Sequence, residues 1–233
     1  MYYDYISVEE KKLLALNAIK KLSKKNNIEP LEYVDPKKSK AWWALRWEEN
    51  FKKNADFSNR IGRGRTYVKN GFVIDFKLSE GLVTGLVMGS RKKPYEVEVY
   101  IDTLSEDEKT RLISMFNNQV SSLDSLLKGE FSKSLQLELA NNDLNLFPSP
   151  KQIHHNCSCP DYAHTCKHVA AVLYGISSKI AANPLLFFTL RGIDTDSLIR
   201  ESTDSILNNM LLNSTVKSKR AINPKDITKL FQI

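Results

Sequence analysis

All three cysteines and all four histidines of this 233-residue chain lie between His154 and His168. The segment reads HHNCSCPDYAHTCKH and contains the spacing C-x-C-x6-C-x-H. Three thiolates and one imidazole form a complete donor set for Zn²⁺, with bonds of about 2.3 Å to sulfur and about 2.0–2.1 Å to nitrogen. A complete set leaves no position open for a substrate or a catalytic water. We therefore predict a closed, structural zinc site.

The predicted zinc ligands are Cys157, Cys159, Cys166 and His168. His168 is the preferred fourth ligand because it stands two residues after Cys166, which repeats the spacing of the first cysteine pair. His164 remains the alternative fourth ligand, since it lies close enough in sequence to compete. The two histidines that precede the first cysteine, His154 and His155, are interpreted as the surface of a strand.

Other uses of the cysteines fit the sequence less well. A disulfide would leave one of three cysteines unpaired, and the N-terminus MYYDYISVEEKKLL has no apolar segment of the kind that directs secretion. A catalytic cysteine usually stands alone, with its histidine distant in sequence. The sequence has no G-x-x-x-x-G-K-[ST] phosphate loop and no spacing that singles out a pair of carboxylates. We expect a cytoplasmic protein that is neither an enzyme nor an ATPase, and no membrane association, because no run of about 18 apolar residues occurs.

Short-range patterns predict how the ligands converge. A strand at 151–156 follows the turn-forming sequence FPSP, and the sequence CSCP then forms a tight loop. Thr165 is a suitable N-cap for a helix whose apolar residues recur at helical spacing from Val169 to Ile176. Cys166 and His168 then lie in the first helical turn, where the positive end of the helix dipole favours thiolate over thiol.

The sequence CSCPDYAHTCKHVAAVLYGI resembles the SWIM zinc finger, whose pattern is C-x-C, a variable gap and C-x-H at the start of a helix. Upstream, AWWALRWEENF, RIGRGRTYVKNG and VMGSRKKPYEVEV are also similar to bacterial SWIM proteins, as is NPLLFFTLRGID downstream. The resemblance covers about positions 40–195. It implies zinc ligation by the four predicted residues and a DNA- or protein-binding role, often alongside Swi/Snf-type ATPases.

The formal net charge of +7 makes DNA or RNA a candidate partner, although zinc with three thiolates lowers that charge by about one. The candidate nucleic-acid ligands are Arg60, Arg63, Arg65, Lys69, Arg91, Lys92 and Lys93. Gly62 and Gly64 would allow a partner to approach the backbone closely, and Tyr67 and Tyr95 would offer aromatic faces to bases. In the alternative interpretation, these segments are hairpin ends with solvated charges and core-facing tyrosines.

The remaining patterns predict an α+β fold, in which an antiparallel β meander is flanked by helices and is followed by the zinc knuckle (short strand, metal loop, helix) and a helical C-terminal part. Asn70-Gly71 predicts a hairpin turn between strands at 66–69 and 72–78, and further strands are predicted at 82–88 and 95–101. Helices are predicted from the capping-box pairs Ser7 with Glu10 and Ser105 with Glu108, from the core stripe Trp43, Trp47 and Phe51, and at 132–141, 185–190 and 195–212.

Four parts are expected along the chain. They are an N-terminal helix at 1–35, an α+β domain with an antiparallel sheet and following helices at 36–145, a SWIM-type zinc finger at 146–182, and C-terminal helices with a basic tail at 183–233. We predict a zinc-binding nucleic-acid- or protein-interaction module that acts with a DNA-processing partner. The alternative is a protein-docking adaptor for a Swi/Snf-type ATPase that does not itself bind nucleic acid.

Overall fold

The computed structural model describes residues 6–25, 27–53, 58–119, 130–140, 144–161 and 163–214. The helices in these ranges are α1 (Val8–Leu22), α2 (Trp42–Lys53), α3 (Ser58–Lys69), α4 (Glu106–Gln119), α5 (Lys133–Leu139), α6 (Lys167–Ala182), α7 (Leu185–Leu190) and α8 (Thr195–Ser214), with a 3₁₀ turn at Pro150–Gln152. The strands are β1 (Val73–Ser79), β2 (Leu82–Val87), β3 (Tyr95–Ile101) and β4 (Ile153–Cys157). The predicted α+β class is confirmed.

The four strands form one antiparallel sheet in the order β1-β2-β3-β4, which confirms the predicted meander. Odd-numbered residues of β3 are buried, as the alternation of apolar and polar residues predicts. The fourth strand comes from the metal-binding segment, and its last residue, Cys157, lies opposite Val97 of β3. One hydrophobic cluster joins this segment to the preceding helices and strands. In the described residues, therefore, the boundary expected at residue 146 does not separate two cores.

Helix α6, which begins between two of the predicted ligands, lies at the centre of this core. It packs on α2, on α3 and on the sheet, and almost every residue from His168 to Ile180 is buried. Such burial on all sides accounts for its largely apolar sequence. Trp47 of α2 donates a hydrogen bond from Nε1 to the carbonyl of Leu173 in α6 at 2.9 Å, and the predicted Trp43, Trp47 and Phe51 stripe is buried.

The sequence RIGRGRTYVK forms most of α3, so the predicted strand at 66–69 and the predicted hairpin are wrong. Asn70 and Gly71 instead join a helix to a strand, and Gly71 has the positive φ of 71° that is common just after a helix. The physical reason is tertiary packing against α6. A Cβ on Gly64 would lie 2.4 Å from the Cβ of Ala170, so the two helices approach each other at this glycine. This packing outweighs the low helix propensity of two glycines.

The helix starts agree with their sequence signals. Ser7 caps α1 by accepting from the backbone N–H of Glu10 at 3.1 Å, and Glu108 reaches back to the backbone N–H of Ser105 at 2.8 Å. The part of the expected basic tail beyond Ser214, where α8 ends, lies outside the described residues. Within the described ranges, no helix combines the length and apolar character needed to cross a membrane.

Candidate metal centre

The four predicted zinc ligands converge on one point in the structure. One ligand atom from each of Cys157, Cys159, Cys166 and His168 lies within 4.8 Å of all the others. Nδ1 of His168 is 3.9 Å from the Sγ atoms of both Cys157 and Cys166. Tetrahedral ligands with bonds of about 2.0–2.3 Å would lie roughly 3.5–3.8 Å apart, so the donor set fits Zn²⁺ with little adjustment. The donor set also identifies Nδ1 as the ligating nitrogen.

The first pair of donors, Cys157 and Cys159, lies at the end of β4, and the second pair, Cys166 and His168, lies at the start of α6. Cys157 is fixed by the pairing of β4 with β3, and the loop that follows is tied back to β3 at Glu96. The backbone N–H of Glu96 donates to Oγ of Ser158 at 2.9 Å, and the N–H of Ser158 donates to the carbonyl of Glu96 at 3.0 Å. On the other side, Cys166 is the N-cap of α6, so the predicted N-cap at Thr165 is wrong by one residue.

The N-cap position explains how a free thiol becomes a metal ligand. Sγ of Cys166 accepts a hydrogen bond from the backbone N–H of Val169 at 3.5 Å, which is the contact a capping side chain makes. Hydrogen bonding from Cys157, and further contacts from His168 and this N–H, lower the pKa of Cys166 to about 3. The same contact with Cys166, together with burial, raises the pKa of Cys157, and burial raises the pKa of Cys159. These contacts favour the thiolate form at Cys166, and a bound cation would favour it at the other two cysteines.

His168 is enclosed by aromatic rings that fix its orientation. The ring centroid of Tyr95 is 4.4 Å from that of His168, and the ring centroid of Tyr67 is 5.6 Å away. Burial lowers the pKa of His168, which keeps the imidazole in the neutral form that ligates metal. Its other nitrogen, Nε2, is buried and has no hydrogen-bond partner among the described residues.

His164, the alternative ligand, lies outside this cluster of donor atoms. Its ring packs on that of His155, with centroids 4.6 Å apart, and His155 Nε2 is 3.4 Å from the hydroxyl of Thr165. The structure therefore brings together the preferred four residues and places His164 against a neighbouring strand.

The seven basic candidates fall on different surfaces. Arg65 pairs with the buried carboxylate of Glu48 in α2, and Lys69 lies 4.0 Å from Asp35 in the segment between α1 and α2. Arg60 pairs instead with Asp161, in the metal loop, at 3.3 Å. The structure thus separates RIGRGRTYVK into residues that hold helices together and residues that lie beside the metal centre.

The remaining candidates lie on α3 or in the β2–β3 connection. Arg63 is exposed on α3, as are Arg91, Lys92 and Lys93 between the strands. Arg91 lies 5.9 Å from the ring centroid of Tyr95, and Lys93 is 3.7 Å from Glu96. Tyr67 and Tyr95 are 7% and 9% exposed and pack against His168, so the prediction that they offer open faces to bases is wrong.

Two cations beside the metal centre are absent from the sequence-based set. Lys167 lies between two ligands in sequence, and that position alone could have indicated its place beside the site. Lys11 of α1 lies 3.5 Å from the hydroxyl of Tyr67. Burial lowers the pKa of Lys11, and repulsion from Lys167 lowers it further. No short-range pattern connects Lys11 to the knuckle, because only tertiary packing brings α1 there.

Residues 139–174 match the family model of the SWIM zinc finger. The chain therefore contains a SWIM zinc finger, and the Cys3His cluster inside the matched segment fits Zn²⁺ binding. The chain is also similar to uncharacterized protein Rv2102 of Mycobacterium tuberculosis, with 31% identity over 162 residues. The match covers 69% of this chain and 58% of that protein, so the chain spans less than two thirds of its relative's length. No solved structure matches the chain.

Proposed function

We propose that this protein binds nucleic acid through the basic surface around its zinc knuckle. This knuckle surface consists of Lys11, Arg60, Arg63, Arg91 and Lys167. The observation that carries the proposal is that α1, α3, the β2–β3 connection and the start of α6 each bring a cation to the same metal centre. A closed Cys3His set supports a binding role for the zinc, not a catalytic one.

Local charge supports a polyanionic partner. The five cations outnumber the carboxylate of Asp161 and the single negative charge of Zn²⁺ with three thiolates. Arginine and lysine side chains at this density provide the sequence-independent part of nucleic-acid binding, which depends on contacts with phosphates. The buried tyrosines supply no stacking platform, which favours backbone contacts over stacking on single-stranded bases.

The proposal is tested by titrating zinc-loaded protein with single-stranded and double-stranded DNA and RNA over a range of salt concentrations. The logarithm of the affinity should fall linearly with the logarithm of the salt concentration, with a slope of about −0.9 for each phosphate contact with duplex DNA and about −0.7 with single strands. The variant Arg63→Ala/Arg91→Ala should reduce the slope by about two such contacts. Lys20→Ala/Lys21→Ala removes the same charge at the far end of α1 and should leave the slope unchanged.

Weak, salt-independent binding to every oligonucleotide would contradict the proposal. An equal loss of affinity in both double variants would also contradict it, because the net charge of the whole protein would then explain binding without a defined surface.

A protein-docking role is the second candidate, and one surface favours it. Leu13 and Leu16 of α1 are 61% and 53% exposed, although both are large apolar residues. The two leucines lie on the same helix as Lys11, which belongs to the knuckle surface. A partner protein, such as a Swi/Snf-type ATPase, could therefore contact the leucines and the knuckle surface together. Co-purification of a partner that is lost in Leu13→Ser/Leu16→Ser, and kept in the control Leu137→Ser, which alters a still more exposed leucine, would support this role.

A further inference from the structure

A cavity of about 520 Å³ lies directly beside the zinc knuckle. Its wall includes Ser90, Arg91, Tyr95, Asp161, Lys167 and His168. The volume falls within the range of about 300–1,000 Å³ that is typical of sites for small ligands. Three separate segments form the wall, namely the β2–β3 connection, the metal loop and the start of α6.

The polar groups of this cavity are mostly donors and cations. Arg91 and Lys167 contribute two positive charges, and Ser90 contributes a hydroxyl group. Asp161 and the metal-binding Cys159 are the groups of the wall that can carry negative charge, and the carboxylate of Asp161 is already paired with Arg60 at 3.3 Å. The first turn of α6 adds the positive end of the dipole of a 16-residue helix.

His168 provides the second, independent indication of a ligand. With the metal on Nδ1, the neutral imidazole must carry its hydrogen on Nε2, which is therefore a donor. A ligating histidine almost always donates this second N–H to a carboxylate, a carbonyl or water. Here His168 is 2% exposed, lines the cavity, and has no partner for Nε2 among the described residues. An acceptor oxygen is the missing partner.

The wall beside Nε2 is tightly packed at Gly89. A Cβ on Gly89 would lie 3.3 Å from Nε2 of His168 and 2.4 Å from Cε2 of Tyr95. The next residue along the chain is Ser90, whose side chain belongs to the cavity wall.

We infer that this cavity is a binding site for a phosphate group, with Arg91 and Lys167 neutralising its charge and with Ser90 and Nε2 of His168 donating hydrogen bonds to its oxygens. The inference rests on the proposed function for the source of the phosphate, which is the backbone or the end of a nucleic-acid strand. The phosphate site itself is independent of that source, because inorganic phosphate presents the same oxygens.

The test uses zinc-loaded, full-length protein and two probes, inorganic phosphate and an oligonucleotide. Calorimetry should show saturable phosphate binding at constant ionic strength, where chloride gives none. NMR of the imidazole nitrogens should show a shift of the His168 Nε2–H resonance as phosphate is added. Arg91→Gln and Lys167→Gln should each weaken phosphate binding about tenfold, since each removes one charge-assisted contact.

Lys92→Gln is the matched control, because it removes the same charge one residue away from Arg91 and Lys92 is absent from the cavity wall. Its phosphate affinity should equal that of the unaltered protein. Zinc content is measured after each titration, because loss of the metal to phosphate would itself shift the histidine resonance. The site is overturned if phosphate behaves like chloride, or if Lys92→Gln weakens binding as much as the two cavity variants.

Competition between the two probes separates this inference from the proposed function. If phosphate displaces the oligonucleotide more strongly than chloride does, the strand supplies the phosphate. If phosphate binds and shifts the Nε2–H resonance without displacing the strand, the site is supported with free phosphate as its ligand. Failure of oligonucleotide binding alone, with phosphate binding retained, would overturn only the proposed function.

Discussion

Two glycines of α3 provide a sharp test of the packing that positions the zinc site. Both Gly62 and Gly64 lie in the helix, where replacement by alanine stabilises by about 1 kcal/mol through helix propensity. Their surroundings differ completely. A Cβ on Gly62 would meet nothing within 4 Å, whereas a Cβ on Gly64 would lie 2.4 Å from the Cβ and 2.7 Å from the carbonyl carbon of Ala170 in α6.

The expected cost at Gly64 follows from these distances. Ordinary contact begins near 3.4 Å, so α3 must move away from α6 by about 1 Å to admit the methyl group. Overpacking of a core costs about 1–3 kcal/mol, and the upper end applies because the obstacle includes backbone that cannot turn aside. After the propensity gain of about 1 kcal/mol, Gly64→Ala should destabilise by about 2 kcal/mol. Gly62→Ala should stabilise by about 1 kcal/mol.

Urea unfolding of the zinc-loaded variants measures the difference, which should be about 3 kcal/mol between the two alanine variants. The same samples should be assayed for zinc, because α6 carries Cys166 and His168 and its displacement should weaken metal retention. Equal stability of the two variants would refute the close approach of α3 to α6. A stabilised Gly64→Ala would refute the close approach as well, because only the gain in helix propensity would then remain.

Three further substitutions test other parts of the structure. Cys159→Ser should reduce bound zinc from about one per chain, as measured by metal analysis, whereas Ser158→Ala should retain it. Glu48→Gln should lower the free energy of unfolding by about 2 kcal/mol, because its buried carboxylate contacts a guanidinium and an ammonium, and the exposed Glu49→Gln should change it by less than about 1 kcal/mol. Gly71→Ala should cost about 1–2 kcal/mol in urea unfolding, because φ is 71° there.

The controls define what would contradict these expectations. Full zinc occupancy in Cys159→Ser would remove that residue from the ligand set and return His164 to consideration. Equal effects of the two glutamate substitutions would mean that burial of the Glu48 carboxylate does not stabilise the contact of α2 with α3. An unchanged stability of Gly71→Ala would contradict the left-handed backbone at the junction of α3 with β1.

Much of the metal centre could be predicted because its information is local. Two C-x-C-like pairs specify the donors, and a helix start beside the second pair brings Cys166 and His168 into one turn. The strands from 73 to 101 were predictable for the same reason, since alternation with a period of two residues reflects burial on one face. The capping boxes at Ser7 and Ser105 involve residues three apart, which sequence also shows directly.

The predictions that were wrong depend instead on contacts between residues far apart in the sequence. Nothing near Gly64 in sequence indicates that Ala170 lies against it, so the Asn70-Gly71 signal was taken for a hairpin. The charges of Arg65 and Arg60 look equivalent in sequence, yet a buried carboxylate of α2 binds the first and the metal loop binds the second. Burial of Tyr67 and Tyr95 against His168 likewise depends on contacts between distant segments.

The sequence by itself determined the Cys3His donor set that converges in the structure and most of the elements that carry it, because donor spacing, caps and strand alternation act over a few residues. The tertiary structure alone decided that the knuckle strand completes the main sheet, that α6 lies at the centre of the core, and that Lys11 and Arg91 meet Lys167 beside the metal. Those arrangements arise from burying one shared apolar core, and that requirement acts between residues far apart in the chain.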